Sequence, residues 1–201
     1  MPSLPGKFVQ FSDGYTDPND PSYDRGNCPQ NRRQIASLTM GYVTPQLDNA
    51  VLRVLASDWR ASGILTARSG DWLTVTTTQE LAGTGATGQR VNQVNENPYG
   101  DKSLTNYLNA AAFTFPAPGT LGNERARSIE GPGYWNVDLA LARLVPVGAG
   151  QTLEVRVETF NLLNHFNWGN PATSLDAGTF GRITSQTGSS RIMQFAVKYG
   201  F

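Results

Sequence analysis

The sequence has one cysteine, one histidine, no excess of either charge and no long apolar run, and each shortage removes a class of explanation. Cys28, flanked by Arg25, Gly26, Asn27 and Pro29, makes no intrachain disulfide and has no second cysteine to share a metal with. Sixteen basic residues balance sixteen acidic ones, so the electrostatic footprint of a nucleic-acid binder is missing and no such partner is expected. No stretch approaches the roughly 18 consecutive apolar residues of a membrane-spanning helix. Residues 1 to 20 also lack the basic, apolar, small-residue order of a signal peptide. If the chain enters a membrane, it does so as strands. Charged residues make up 16% of the sequence, against about 25% in an average soluble domain, which hints that part of the surface faces something other than water.

What is present is alternation. Residues 1 to 33, rich in Pro, Asp, Asn and Gly, read as a loop or extension. From Gln34 to Val43, Ala36, Leu38, Met40 and Tyr42 fall on one parity, which predicts a strand. Residues 46 to 56 read as a connection with room for a short helix. Trp59 to Val75 reads as one long strand kinked at Ser69 and Gly70, with Ile64 off pattern. Residues 77 to 132 and 161 to 189 read as long polar loops. Between them, residues 135 to 147 set Val137, Leu139 and Leu141 against Asp138 and small residues. Residues 152 to 160 set Leu153, Val155 and Val157 against Glu154, Arg156 and Glu158. The turn Gly148, Ala149, Gly150 joins these two as an antiparallel hairpin. The last strand aligns Met193, Phe195, Val197, Tyr199 and Phe201.

The expected fold is therefore all-β, an antiparallel up-and-down sheet of about five long strands. Two settings suit it: a transmembrane barrel wall with long extracellular loops, or a soluble β-sandwich that binds carbohydrate or protein through those loops. The alternation of short links with long loops favours the barrel, as do full charges in mid-strand, which suit a hydrated lumen. On that reading Val137, Leu139, Leu141, Leu153, Val155 and Val157 face lipid, and Asp138, Glu154, Arg156 and Glu158 face the lumen. Met193, Phe195, Val197, Tyr199 and Phe201 resemble the C-terminal signal by which barrel proteins are recognised for outer-membrane insertion, which brings the barrel-assembly machinery in as a partner.

The segments DRGNCPQNRRQ, WRASGILTARSGDWLTVT, GPGYWNVDLALAR, LEVRVETFNLLNHFNWGNP and FGRITSQTGSSRIMQFAVKYGF carry a more specific resemblance. In this order they are similar to the C-terminal barrel of TonB-dependent receptors, closest to the Oar-like group with a carboxypeptidase-regulatory-like N-terminal domain. The resemblance implies a plugged 22-stranded barrel in the outer membrane that imports a scarce nutrient with energy passed on by TonB. With strand directions counted back from the C-terminus, the expected division is an extracellular loop or extension at 1–33 and barrel strands of such a receptor at 34–201. No plug and no TonB-interacting segment are found, and such barrels start at about eight strands. The expectation is a fragment that needs the rest of the barrel and its plug.

Chemistry is sought and not found, so no enzyme and no cofactor are expected. His165 stands without a second metal ligand. Gly83, Gly85 and Gly88 spell GxGxxG, but no strand and helix frame them as a dinucleotide site requires. Glu154 and Glu158 lie about 13 Å apart on an extended strand, wider than the roughly 5 to 9.5 Å of glycosidase carboxylates. Asp13, Asp17, Asn19, Asp20 and Asp24 miss the spacing of a calcium loop. Trp59, Trp72, Trp135 and Trp168 fall near the predicted strand ends, where an interfacial aromatic girdle would lie.

Overall fold

The computed structural model describes residues 15–17, 19–148 and 150–201. Asp13 and Ala149, both invoked above, lie outside them. Five long strands form a single antiparallel sheet: β1 (Ile35–Val43), β2 (Trp59–Arg68), β3 (Tyr134–Gly148), β4 (Gln151–Phe160) and β5 (Ile192–Gly200). They are ordered β1-β2-β3-β4-β5, so each strand pairs with its neighbours in sequence. The sheet is open, with β1 and β5 at its edges. Lengths of 9, 10, 15, 10 and 9 residues meet the roughly 9 to 11 residues that a tilted strand needs to span a bilayer.

The β3–β4 turn is made possible by Gly148 and Gly150, at φ of 103° and 80°, conformations that side chains resist. Gly148 pairs with Gln151 but Pro146 with Thr152, so Val147 is left as a bulge. Pro146, which has no N–H to give the ladder, sits beside it, where a proline is tolerated.

Two expectations are corrected. The second strand does not run from Trp59 to Val75: it stops at Arg68, and Trp72–Leu73 pair instead with Ile129–Glu130 in a separate two-stranded ladder. Ser69 and Gly70 are the departure point, neither kink nor hairpin. A Cβ on Gly70 would overlap the carbonyl of Gly131, so only glycine allows that approach. Nor are residues 77–132 and 161–189 merely polar loops. Residues up to Arg33, Ser69–Pro132 and Trp168–Ser185 form a compact unit, distinct from the one formed by Gln34–Arg68, Gly133–Asn167 and Gln186–Phe201.

The first of these units holds the hydrophobic core: Val75, Val91, Tyr107, Leu108, Ala112, Phe113, Ile129 and Ile183. Two-residue ladders and side-chain caps organise it. The sheet unit is the reverse, a single layer. Every residue of β1 is exposed, and Phe195 and Val197 of β5 are 75% and 70% exposed. A sandwich needs a second sheet against that apolar face. Among the described residues no second sheet belongs to this unit.

Candidate functional site

In an antiparallel ladder, directly opposed residues project to the same side. The register therefore sorts the sheet into two faces. Tyr42, Ala61, Leu141, Val157 and Phe195 form one row; Leu38, Leu65 and Val137 form another. Val155 with Val197 and Leu153 with Tyr199 extend the same face, and Leu139 lies between Gly63 and Thr159 on it. The six apolar residues picked from β3 and β4 thus share one continuous surface. Rows of the other face read Arg60, Ala142, Arg156, Ala196 and Ser62, Ala140, Glu158, Gln194, with Glu154 opposite Lys198. Asp138 lies there too, beside the off-pattern Ile64.

The charges on the polar face are mutually compensated. Arg156 donates to Glu154 Oε1 through Nη2 at 2.8 Å and Nε at 3.1 Å, and to Glu158 Oε1 through Nη1 at 3.4 Å. A guanidinium held between them leaves no bare carboxylate pair for acid–base work. Asp138 instead fixes the chain where it leaves β4, its Oδ1 accepting from the Asn161 N–H at 2.9 Å and from Asn136 Nδ2 at 2.7 Å.

That exit is the part sequence reading undervalued. The run FNLLNHFNW places asparagines at 161, 164 and 167, and each holds a different partner. Asn161, at φ 52°, donates to the carbonyls of His165 and Ser189. Asn164, at φ 49°, accepts from the Arg191 N–H just before β5. Asn167 is buried and bonded to both backbone groups of Trp135. Short amides that tolerate the left-handed region are suited to such turns. His165 stacks on the Trp135 ring, centroids 4.1 Å apart.

Met193, Phe195, Val197 and Tyr199 all lie on the apolar face; Phe201 lies beyond β5, its ring 6.2 Å from that of Tyr199. Only Trp59 and Trp135 of the four tryptophans are in the sheet. Trp72 belongs to the short ladder and Trp168 packs on the core of the other unit.

The core-bearing unit is tied together by side chains. Arg90 pairs with Asp24 at 3.3 Å, donates to the Tyr23 carbonyl at 2.7 Å and covers the Tyr23 ring at 3.6 Å. Arg32 pairs with Asp71, and Arg33 with Glu130 at 3.2 Å. Glu124 is 2% exposed and receives the Val75 N–H on both carboxylate oxygens at 3.1 Å; burial pushes its pKa up to about 7. A cavity of about 500 Å³, lined by Tyr15, Tyr23, Thr76, Gln89, Arg90 and Arg127 among others, opens in this unit. Gly83, Gly85 and Gly88 all have positive φ in the loop between the Thr76–Thr77 and Gln89–Arg90 strands, with no helix following. Asp17 and Asp20 accept from Asn19 and Ser22 in local turns, and Asp24 is taken by Arg90.

Residues 5–194 match a family model described as an outer membrane beta barrel domain. No curated protein and no solved structure matches the chain.

Proposed function

The chain belongs to the outer membrane beta barrel domain family and is an outer-membrane protein, and from that premise we propose that it is barrel wall of a TonB-dependent nutrient transporter of the Oar-like kind. The observation that carries this reading is the sorting of five consecutive strands into one apolar and one charged face. A wall between lipid and a watery lumen requires that division, because lipid-facing and lumen-facing residues alternate along every strand. Val137, Leu139, Leu141, Leu153, Val155 and Val157 then meet lipid. Glu154, Arg156 and Glu158 line the lumen, with Asp138 at its rim. The sheet has two open edges, and closure takes further strands, which the remaining barrel supplies around a plug.

Direction follows from the strand ends. Ile35, Arg68 and Tyr134 are aligned at one end of the sheet, where Phe160 and Ile192 also pair. Every long excursion leaves and returns there. The link from Val43 to Trp59 and the Gly148 turn lie at the other end. Short turns are periplasmic and long loops extracellular in such barrels, so the long excursions leave the sheet at its extracellular end. The role is passage of solute and not catalysis. β5, exposed and alternating, is the strand offered to the assembly machinery.

Cross-linking in cells followed by capture of the full-length protein is the test. TonB is expected among the captured partners, in amounts that fall when the proton-motive force is collapsed. Capture without TonB under nutrient limitation would sink the transporter reading while leaving membrane insertion intact.

A further inference from the structure

The link between β1 and β2 carries the helix α1 (Ala50–Ala56), none of whose residues is buried among the described residues. Val51, Leu52, Val54 and Leu55 are 50% to 66% exposed. At about 100° per residue these four occupy an arc of roughly 160°, with Arg53 diametrically opposite. A seven-residue helix that showed this face to water would gain nothing from its amphipathic pattern.

The helix is nevertheless fixed in place. Asn49 caps it, Oδ1 accepting from the Val51 and Leu52 N–H groups at 3.0 and 3.2 Å. Its last turn is fastened to the sheet: Trp59 Nε1 donates to the Leu55 carbonyl at 2.9 Å, and Arg143 donates to the Val54 carbonyl. Ser57, fully buried, accepts from the Leu47 N–H at 3.1 Å. Trp59 and Arg143 oppose each other on the apolar face, in contact at 5.4 Å. The same end of that face carries Tyr42 and Tyr199, 63% and 51% exposed. Aromatic residues at the end of a lipid-facing surface mark the headgroup level. The helix is attached at that level.

We propose that α1 is an interfacial helix, lying in the phospholipid headgroup region at the end of the sheet opposite the long excursions. Its four apolar side chains dip among the acyl chains, and Arg53, whose guanidinium has no partner among the described residues, stays with the phosphates. The occupant is lipid and not a protein, because the helix is fastened, through the Val54 and Leu55 carbonyls, to Trp59 and Arg143 on the apolar face of the sheet at its aromatic border. An anchor of this kind fixes the depth of the β1–β2 end of the wall. The inference rests on the reading that the apolar sheet face meets lipid.

Spin labels on the full-length protein, with Cys28 replaced by serine, reconstituted in phosphatidylethanolamine–phosphatidylglycerol vesicles, separate the two claims. Labels go on Val51→Cys, Leu55→Cys and Arg53→Cys in the helix, and on Val197→Cys and Lys198→Cys in the sheet. Collisions with oxygen are compared with collisions with a water-soluble nickel chelate. The expected oxygen-to-nickel ratio is several-fold higher at 51 and 55 than at 53, and higher at 197 than at 198. A high ratio at 197 with helix sites all open to nickel, or all shielded from both reagents as under a protein partner, overturns the anchor alone. A low ratio at 197 overturns the facing of the sheet, and the anchor with it.

Discussion

Asn167 and Trp135 exchange two hydrogen bonds: the Trp135 N–H donates to Asn167 Oδ1, and Asn167 Nδ2 donates to the Trp135 carbonyl, both at 2.9 Å. The side-chain amide thus acts as one more strand residue beside the start of β3, and it is 5% exposed. Truncation to alanine strands a donor and an acceptor of the backbone. Asn167→Ala is expected to cost about 2 kcal/mol, read as a lowered urea midpoint of the membrane-inserted protein. Asn167→Asp, which cannot donate to the Trp135 carbonyl, should be worse than alanine near neutral pH. An aspartate variant as stable as the parent would contradict the two-bond account.

Glu124 makes stability depend on pH in the unusual direction. Burial raises its folded pKa from 4.5 to about 7, so between these values the folded state binds more proton than the unfolded one. Stability conferred by the neutral acid is complete below about pH 4.5 and is lost as pH rises through about 7, on the order of 3 kcal/mol in all. Glu124→Gln should abolish this slope, and the difference between parent and variant should grow against the parent from pH 5 to pH 8. The check is a pair of denaturation series across that window; a constant difference would refute the assignment.

The strands were legible because parity is a local signal. The alternation in residues 152 to 160 and 191 to 201 marks β4 and β5 to within a residue or so, and Gly148 and Gly150 announce the turn from β3 to β4. The end of β2 was not legible: alternation carries on past Ser69, whereas the strand's neighbours decide where pairing stops. The core of the other unit was hidden for a related reason. Leu73 meets Ile129 in a two-residue ladder closed by a long excursion, too short for any period to show. Nor does sequence reveal that Glu124 is buried or that Asn161, Asn164 and Asn167 bond to distant backbone, since both depend on the folded path.

The Gly70 and Gly131 contact gives a steric prediction. The chain passes from the sheet to the other unit's ladder through a point where a Cβ on Gly70 collides with backbone, which has no flexible end to yield. Gly85, at φ 75°, has open space around it, so alanine there bears only the strain of a left-handed conformation. Gly85→Ala should cost about 1 kcal/mol, and Gly70→Ala clearly more, with amide exchange accelerated at Trp72 and Leu73. Equal effects at the two glycines would show that the crossing is looser than its geometry.

The facing of the sheet yields the most discriminating prediction, because the two faces must respond oppositely to the same added charge. Leu139 lies mid-sheet on the apolar face, between Gly63 and Thr159, while Gln194 lies on the polar face opposite Glu158. An arginine introduced toward the bilayer midplane costs about 2 to 4 kcal/mol, and the cost falls away near the interfaces. Leu139→Arg is expected to show that loss in the urea midpoint of the inserted protein. Gln194→Arg places its charge in a hydrated lumen beside a carboxylate and should be close to neutral. Lumen charge tunes selectivity, so Gln194→Arg should instead shift the ion preference of any conductance measured in planar bilayers. A tolerated Leu139→Arg together with a damaging Gln194→Arg would invert the faces, sending the charged parity to the outside and the apolar parity to the interior.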